Sequence, residues 1–148
     1  MKSINNEAPL KYCKTIHINS SPEKIWAIIT NIDEWSRWET DIKNSKINGE
    51  LRPSTTFDFI INNLKIRSKI HTVDPCHHFG WTAKIFGMHV IHNITLTETK
   101  GQTMVSDDES LEGLLVRLFK KLFDKKLEKN KQNWLEQLKK ECENQKTK

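Results

Sequence analysis

The chain has little of the material from which several common functional sites are built. Five glycines among 148 residues form no glycine-rich phosphate loop. The three cysteines, Cys13, Cys76 and Cys142, are odd in number and form no CxxC pair. Neither a disulfide framework nor a cysteine zinc site is therefore predicted. No apolar run approaches the roughly 20 residues that cross a bilayer, and the first residues lack the apolar stretch of a signal peptide.

The overall composition indicates one globular domain. Apolar residues make up 36% of the chain and charged residues 29%, which is too apolar for a disordered protein. A chain of 148 residues corresponds to about one ordinary domain with one core. We expect a single domain over residues 1–148, with flexible tails at 1–9 and 144–148, located in the cytoplasm.

Positive charge is concentrated near the C-terminus. Residues 120–148 hold ten lysines and five acidic residues, which accounts for the whole net charge of +5. The segment lacks the interleaved aromatic and arginine residues of specific nucleic-acid readers, so no nucleic-acid partner is predicted. A solvated lysine-rich helix explains the charge most simply, and transient contact with an anionic membrane is the alternative.

The tryptophan-rich stretch near the N-terminus predicts a strand followed by two short helices. "KTIHIN" alternates as a strand does, and "SPEK" opens a helix, with Ser21 as cap and Pro22 in the first turn. "DEWSRW" predicts a second short helix. Helical spacing assigns Trp26 to the first helix, as wall or core, while Trp35 and Trp38 anchor the second.

The next sixty residues have the period of two that is typical of strands. Tight turns at "INNL", "VDPCH", Phe86-Gly87 and "ETKGQ" leave no room for crossover helices, so the sheet is predicted to be antiparallel. Alternation places these residues on its inward face: Phe57, Phe59, Ile61, Leu64, Ile66, Ser68, Ile70, Thr72, Trp81, Ala83, Ile85, Met88, Val90, His92, Ile94 and Leu96.

The C-terminal part is predicted to be one long helix from Leu111 to about Glu143. At 1.5 Å per residue it would be roughly 50 Å long. Its apolar row at every fourth residue winds around the axis, because four residues turn by about 400°. We therefore expect the two halves of the helix to face different neighbours, or the helix to bend between them.

This order of elements, together with two motifs, resembles a known superfamily. "INSSPEKIWAIITNIDEWSRWETDI" is similar to the opening of SRPBCC (START-like) proteins, and "ESLEGLL" is similar to the entry into the last helix in the polyketide cyclase/dehydrase and lipid-transport branch. The resemblance implies an α+β helix-grip fold: a curved antiparallel sheet of six to seven strands, two short helices after the first strand, and a long C-terminal helix enclosing a largely apolar cavity. That superfamily hosts carriers as well as enzymes, so the function stays open.

Two functions are weighed for such a cavity. The first is non-enzymatic binding or transport of a small hydrophobic ligand, such as a lipid, an isoprenoid or a polyketide-like molecule. The second is a cyclase or dehydrase activity, in which His92 would be the general base and Glu109 its orienter or an acid. Glu109 or Asp107 is expected near the mouth of the cavity, where the last strand meets the helix. Inward polar residues are few and scattered, which favours the carrier. The predicted cavity residues are Trp26, Phe57, Phe59, Ile66, Ser68, Trp81, His92, Leu114 and Leu118.

No metal or other cofactor is predicted. Six histidines are present, but the length of a strand separates His77 from His89. Only His71 with His77 or His78 could converge across a turn, and two such histidines on a hairpin rim are usually solvated. The identity of the ligand and the oligomeric state are left open by the sequence.

Overall fold

The computed structural model describes residues 1–144, and its framework is a seven-stranded sheet. Residues 145–148 of the predicted C-terminal tail lie outside the described residues. The strands are β1 Leu10–Ile18, β2 Ile42–Ile47, β3 Thr56–Ile61, β4 Leu64–Asp74, β5 His78–Ile85, β6 Met88–Thr99 and β7 Gln102–Glu112. The helices are α1 Pro22–Thr30, α2 Trp35–Trp38, α3 Leu114–Leu118 and α4 Lys120–Asn144, with a 3-10 turn at Ile32–Glu34.

All neighbouring strands pair antiparallel, in the order β1-β7-β6-β5-β4-β3-β2. Three hairpins turn on residues with positive φ: Asn62-Asn63, Phe86-Gly87 and Lys100-Gly101. Glycine and asparagine adopt that conformation at the lowest cost, and it matches the twist of the flanking strands. This arrangement confirms the predicted α+β helix-grip fold.

Helices α1, α2 and α4 cover one face of the sheet, which we call the inner face. Helix α1 starts where the sequence predicts, because the Ser21 hydroxyl accepts a hydrogen bond from the Lys24 N–H at 3.3 Å and Pro22 occupies the first turn. Ile25 and Ile29 on its buried side contact the core. The outer face carries the N-terminal segment, where the Lys2 carbonyl accepts a hydrogen bond from Asn93 at 2.8 Å.

The predicted start of the C-terminal helix at Leu111 is wrong. Strand β7 continues through Glu112, and Gly113 then turns the chain with φ 133°. A Cβ atom there would lie 2.6 Å from the Gly87 carbonyl oxygen, so only glycine fits. Phe119, with φ −118° and ψ 36°, separates α3 from α4. The expected bend is thus a break after one short helix.

None of the helices within residues 1–144 is both long enough and apolar enough to span a membrane. Helix α4 has 25 residues, but its sequence is rich in lysine and glutamate. Its buried side chains are Leu127, Lys131, Trp134, Leu135, Leu138 and Cys142, and the lysine among them becomes important at the site.

Candidate ligand-binding site

Aromatic rings fill one half of the space between the inner face and the helices. Trp35 contacts Phe57 with a centroid distance of 5.4 Å, and Phe57 contacts Trp81 at 5.7 Å. Trp81 lies 5.2 Å from Phe79, which in turn contacts Trp26 at 6.1 Å. Such edge-on and tilted pairs stabilise a core beyond their buried area. These rings pack against one another and form a continuous core.

The second half of α4 closes this region, which we call the closed half. Trp134 contacts Trp38 at 5.7 Å, and Leu135 and Leu138 are fully buried. Burial raises the pKa of the Cys142 thiol to about 12, as expected for a group in dry apolar surroundings. The closed half therefore has the packing of an ordinary protein core.

A cluster of buried ionisable side chains lies next to the aromatic core. His92 and Glu109 are direct cross-strand neighbours on β6 and β7. His92 Nε2 lies 2.6 Å from Asp107 Oδ1, and Lys131 of α4 forms ion pairs with both Glu109 and Asp107, the latter at 3.4 Å. The exposed fraction of each of these four residues is 8% or less. We call these four residues the polar cluster.

In the polar cluster, the ammonium of Lys131 lies between the carboxylates of Asp107 and Glu109. Burial by itself would lower the pKa of the Lys131 ammonium, but the carboxylates of Asp107 and Glu109 outweigh it and hold that pKa above its ordinary value. Burial would likewise raise the pKa of Asp107, but His92 and Lys131 outweigh it, and this pKa is lowered. The lysine is therefore a cation held by anions, and a neutral amine nucleophile is disfavoured.

The contacts of His92 define the hydrogen bonds of its ring. Its Nε2 lies 2.6 Å from Asp107 Oδ1, and Lys131 Nζ lies at nearly equal distances from the two ring nitrogens, 3.1 Å from Nδ1 and 3.0 Å from Nε2. A carboxylate only accepts hydrogen bonds, so the Nε2–H group of His92 donates to Asp107. The face of the ring packs on Trp81 at a centroid distance of 4.0 Å. Both nitrogens are thus engaged within the protein.

Three buried oxygen atoms on the inner face lack a hydrogen-bond partner within the described part of the chain. They belong to the Tyr12 hydroxyl, the Ser68 hydroxyl and Asp107 Oδ2. Tyr12 pairs with Glu109 across β1 and β7, and burial followed by the Asp107 charge raises the pKa of its phenol. Buried polar atoms normally have partners, so these three oxygens provide unused hydrogen-bonding capacity.

The other half of the inner face is only partly covered, and we call it the open half. It lies at the end of the sheet formed by the β3–β4 and β5–β6 hairpins. Six of its apolar residues are neither buried nor fully exposed: Phe59, Ile61, Leu64, Ile85, Met88 and Val90. Ile66 and Ala83 form its buried floor next to Ser68. An apolar surface that is incompletely covered suits a small apolar ligand.

The structure distributes the predicted cavity residues over both halves. Phe57, Trp81 and Trp26 lie in the closed half, while Phe59, Ile66 and Ser68 line or border the open half. His92 lies between the two halves, in the polar cluster.

The side chains of Leu114 and Leu118, which the sequence assigns to the cavity wall, are 72% and 65% exposed. Helix α3 begins only at residue 114 and buries Val116 instead. Thr72 is also misplaced by strict alternation. A bulge between Ile70 and Thr72 reverses the face, so Thr72 pairs with Gly80 on the outer side.

Sequence reasoning missed Lys131, which completes the polar cluster, and Glu39, which is 2% exposed and accepts a hydrogen bond from Asn133 at 3.0 Å. It placed Asp107 near the mouth of the cavity, whereas Asp107 is fully buried. A signal for Lys131 was present in the sequence, because it lies four residues after Leu127 and four before Leu135. That spacing places it on the buried side of α4.

Two surface concavities accompany this interior. One, of about 490 Å³, is lined by Asp41 and by charged and polar residues of α4: Lys125, Glu128, Lys129, Gln132, Asn133 and Glu136. The other, of about 440 Å³, lies around Asn48 and residues 52–56. None of the nine predicted cavity residues lines either concavity, and their polar walls do not suit an apolar ligand.

The remaining histidines have separate partners. His71 contacts Thr72, His78 contacts Thr95 and His89 contacts Glu112. Burial, with Lys2 nearby, lowers the pKa of His71 to about 4. Within residues 1–144, no group of three or more histidine, cysteine or acidic side chains could hold a metal ion.

Comparison with solved structures finds the same fold at low sequence identity. A hypothetical protein of Helicobacter pylori superimposes with a TM-score of 0.81 at 15% identity, covering 96% of this chain and 97% of the other. A START superfamily protein of Mycobacterium smegmatis has a TM-score of 0.72 at 16% identity, covering 90% and 97%. The two-domain ARO/CYC protein StfQ, of the steffimycin biosynthetic pathway, has a TM-score of 0.78 at 11% identity, covering 91% of this chain and 51% of the other.

No curated protein sequence matches the chain. A family model described as polyketide cyclase/dehydrase and lipid transport matches residues 10–143, which is nearly the whole chain. This match and the START superfamily neighbour confirm the resemblance seen in the sequence. The protein therefore belongs to the polyketide cyclase/dehydrase and lipid transport family of the SRPBCC superfamily.

Proposed function

We propose that the protein binds or carries a small apolar ligand, such as a lipid, an isoprenoid or a polyketide-like molecule, in the open half of the inner face, without catalysing a reaction on it. The observation that carries the proposal is the set of six half-buried apolar residues of the open half. They lie on the same strands and the same face as fully buried core residues. The START superfamily and ARO/CYC neighbours support this kind of function. The predicted location of the protein is the cytoplasm.

The polar cluster favours a ligand whose polar group is neutral. The Lys131 ammonium is already matched by Asp107 and Glu109, so a ligand carboxylate would add a negative charge beside two others. Like charges in a site of low dielectric constant repel strongly. The unpartnered hydroxyl of Ser68, which borders the open half, can instead bond to a ligand hydroxyl or ketone.

Three probes of similar size test this proposal: 2-naphthol, 2-methylnaphthalene and 2-naphthoate. Binding is measured by calorimetry and by the change in tryptophan fluorescence, since Trp81 lies beside the polar cluster. We expect 2-naphthol to bind most tightly and 2-naphthoate about tenfold or more weakly, because desolvating an unpaired charge is costly. No binding of any probe would contradict the ligand-binding function, whereas preferred binding of 2-naphthoate would contradict the selection for a neutral group.

Two adjacent residues of β3 provide a matched pair of variants. Ile61 lies on the inner face in the open half, while Ile60 lies on the outer face, and both are half-buried. Ile61→Glu is expected to weaken binding of 2-naphthol by about tenfold or more, since the new carboxylate is desolvated by the ligand. Ile60→Glu makes the same chemical change on the other face and should leave the affinity unaltered. Equal losses in both variants would place the ligand elsewhere.

The enzyme alternative rests on the contact between His92 and Asp107, which resembles the orientation of a general base. Both ring nitrogens of His92 are engaged, and this favours a structural role. Under the carrier proposal His92→Gln keeps probe binding within a few-fold of wild type. Turnover of a polyketide-like substrate by the wild type, abolished in His92→Gln while binding persists, would favour the enzyme.

A further inference from the structure

The largest group of exposed apolar side chains lies at the junction between β7 and α4. Leu114 and Leu118 of α3 are 72% and 65% exposed, and Phe119 and Leu122 are 53% and 54% exposed. Phe86, at 73%, is exposed on the β5–β6 turn. Contact between Gly113 and Gly87 joins this turn to the start of α3, so all five side chains belong to one end of the molecule. We call them the apolar tip.

Basic residues surround the apolar tip. Between residues 114 and 129 there are six basic side chains and two acidic ones. The basic ones are Arg117, Lys120, Lys121, Lys125, Lys126 and Lys129, all of them exposed. No ion pair of 4.0 Å or less involves any of these six among the described residues. The tip is therefore an exposed apolar surface with a rim of net positive charge.

We propose that the apolar tip docks on the surface of an anionic membrane, with its leucine and phenylalanine side chains at the level of the acyl chains and its lysines at the headgroups. An amphipathic segment with apolar residues on one side and lysines around them binds interfaces in this way. Each basic residue near an anionic surface contributes about a fivefold gain in binding. The apolar side chains and the basic residues of this surface thus both suit an anionic membrane.

Charge also disfavours a second copy of this chain as the occupant. A symmetric dimer through the apolar tip would bring the two basic rims together, since a twofold interface places the same patch on both sides. Like charges facing each other at an interface oppose association. An anionic membrane, in contrast, neutralises the rim.

Co-sedimentation with lipid vesicles tests the docking. Vesicles of phosphatidylcholine alone are compared with vesicles containing about one-third phosphatidylglycerol, whose surface is anionic. We expect binding to the anionic vesicles and at least tenfold weaker binding to the neutral ones. Raising the salt from about 0.05 to 0.5 M should weaken the binding several-fold, because it screens the lysines.

Variants separate the apolar contribution from the charge. The double variant Leu114→Gln with Leu118→Gln should reduce vesicle binding about tenfold or more while its thermal unfolding stays close to wild type, because both side chains are already exposed. Lys121→Gln should reduce binding about fivefold. Lys140→Gln makes the same charge change on the same helix about 29 Å away, and should leave binding unchanged.

Two results would overturn the proposal. One is absent binding to anionic vesicles in the wild type. The other is sedimentation of the free protein as a dimer that Leu114→Gln with Leu118→Gln converts to a monomer, which would make the tip a contact between copies. The docking is measured without ligand and through residues outside the open half. A failure to bind vesicles would therefore leave the proposed ligand binding intact. A failure to bind the ligand probes would likewise leave the proposed membrane docking intact.

Discussion

Strand β6 allows a direct comparison of the two halves of the inner face. Ile94 and Val90 point to the same face of this strand, yet Ile94 is fully buried and Val90 is only half-buried. Strand β5 shows the same contrast between Phe79, at 0% exposure, and the half-buried Ile85. The strands themselves are equally apolar at these points, so the helices above them cause the difference. Ile94 packs in the large core cluster with Ile25 and Ile29 of α1 and with Leu135 and Leu138 of α4, whereas Val90 is only partly buried against a smaller cluster that includes Val116 and Leu127.

The difference in burial means that the closed half provides most of the stability, whereas the open half is the proposed site of binding. A fully buried aliphatic or aromatic side chain contributes about 1.5–3 kcal/mol by leaving water, and the closed half contains most of these. The half-buried side chains of the open half contribute less of this stabilisation, because part of their surface remains in water. A ligand that covers its half-buried side chains would recover it, which is the physical basis of the proposed affinity.

The largest expected effect concerns the polar cluster at the boundary of the two halves. Lys131→Met leaves Asp107 and Glu109 without their cation and should destabilise the protein by about 3–5 kcal/mol. Lys129→Met, an exposed position on the same helix, should change stability by less than about 0.5 kcal/mol. Urea unfolding of both variants provides the measurement. A small effect for Lys131→Met would show that the cluster is hydrated.

Two leucine substitutions compare how much α4 and α3 contribute to stability. Leu138→Ala removes a fully buried side chain of the closed half, and we expect a loss of about 3 kcal/mol in the free energy of unfolding. Leu118→Ala, at 65% exposure, should cost less than about 0.5 kcal/mol. Similar losses in both variants, measured by urea unfolding, would remove the distinction between a packed end and an exposed end.

A substitution at Gly113, in the turn into α3, should have a smaller effect on stability, and this effect should be restricted to the open half. Gly113→Ala places a Cβ atom 2.6 Å from the Gly87 carbonyl oxygen at a φ of 133°, so α3 has to move away from the β5–β6 turn. We expect a loss of about 1–3 kcal/mol, together with faster amide exchange in α3 than in α4. Unchanged exchange in α3 would mean that this contact does not hold the helix.

The pH dependence of stability tests the cluster at low pH. The pKa of Asp107 is lowered in the folded state, so its stabilisation is present above the unfolded value of about 3.9 and is lost as pH falls through the folded value. The loss is about 1.4 kcal/mol for each unit between the two values. Lys131 stays charged throughout, since its pKa is raised. The stability difference between wild type and Asp107→Asn should shrink below about pH 4. A difference that does not change with pH would contradict the charged pair.

Much of the fold could be predicted from the sequence, because short-range patterns decide it. Ser21 and Pro22 define the start of α1, and alternation with positive-φ turns defines the sheet. What could not be predicted depends on contacts between distant segments. The bulge beside Thr72 has no local signal, and the break at Phe119 interrupts a sequence that is helical by its own propensity.

The candidate site could be predicted only in part for the same reason. Phe59, Ile66 and His92 follow from strand alternation, and the structure places them on the inner face. Lys131 was hidden because it is one of ten lysines in the C-terminal segment, where charge normally means exposure. Its partners lie on β7, more than twenty residues away along the chain, so the pattern within the helix was the one local signal.

Methyl NMR during a titration with 2-naphthol tests whether the ligand binds in the open half of the inner face. Labelling of isoleucine, leucine and valine methyl groups reports on both halves of the inner face in one experiment. We expect the methyl signals of Ile61, Ile85 and Val90 to shift on saturation, while those of Ile25 and Leu138 of the closed half keep their positions. Shifts confined to the exposed leucines of α3, or spread equally over both halves, would contradict a ligand site in the open half.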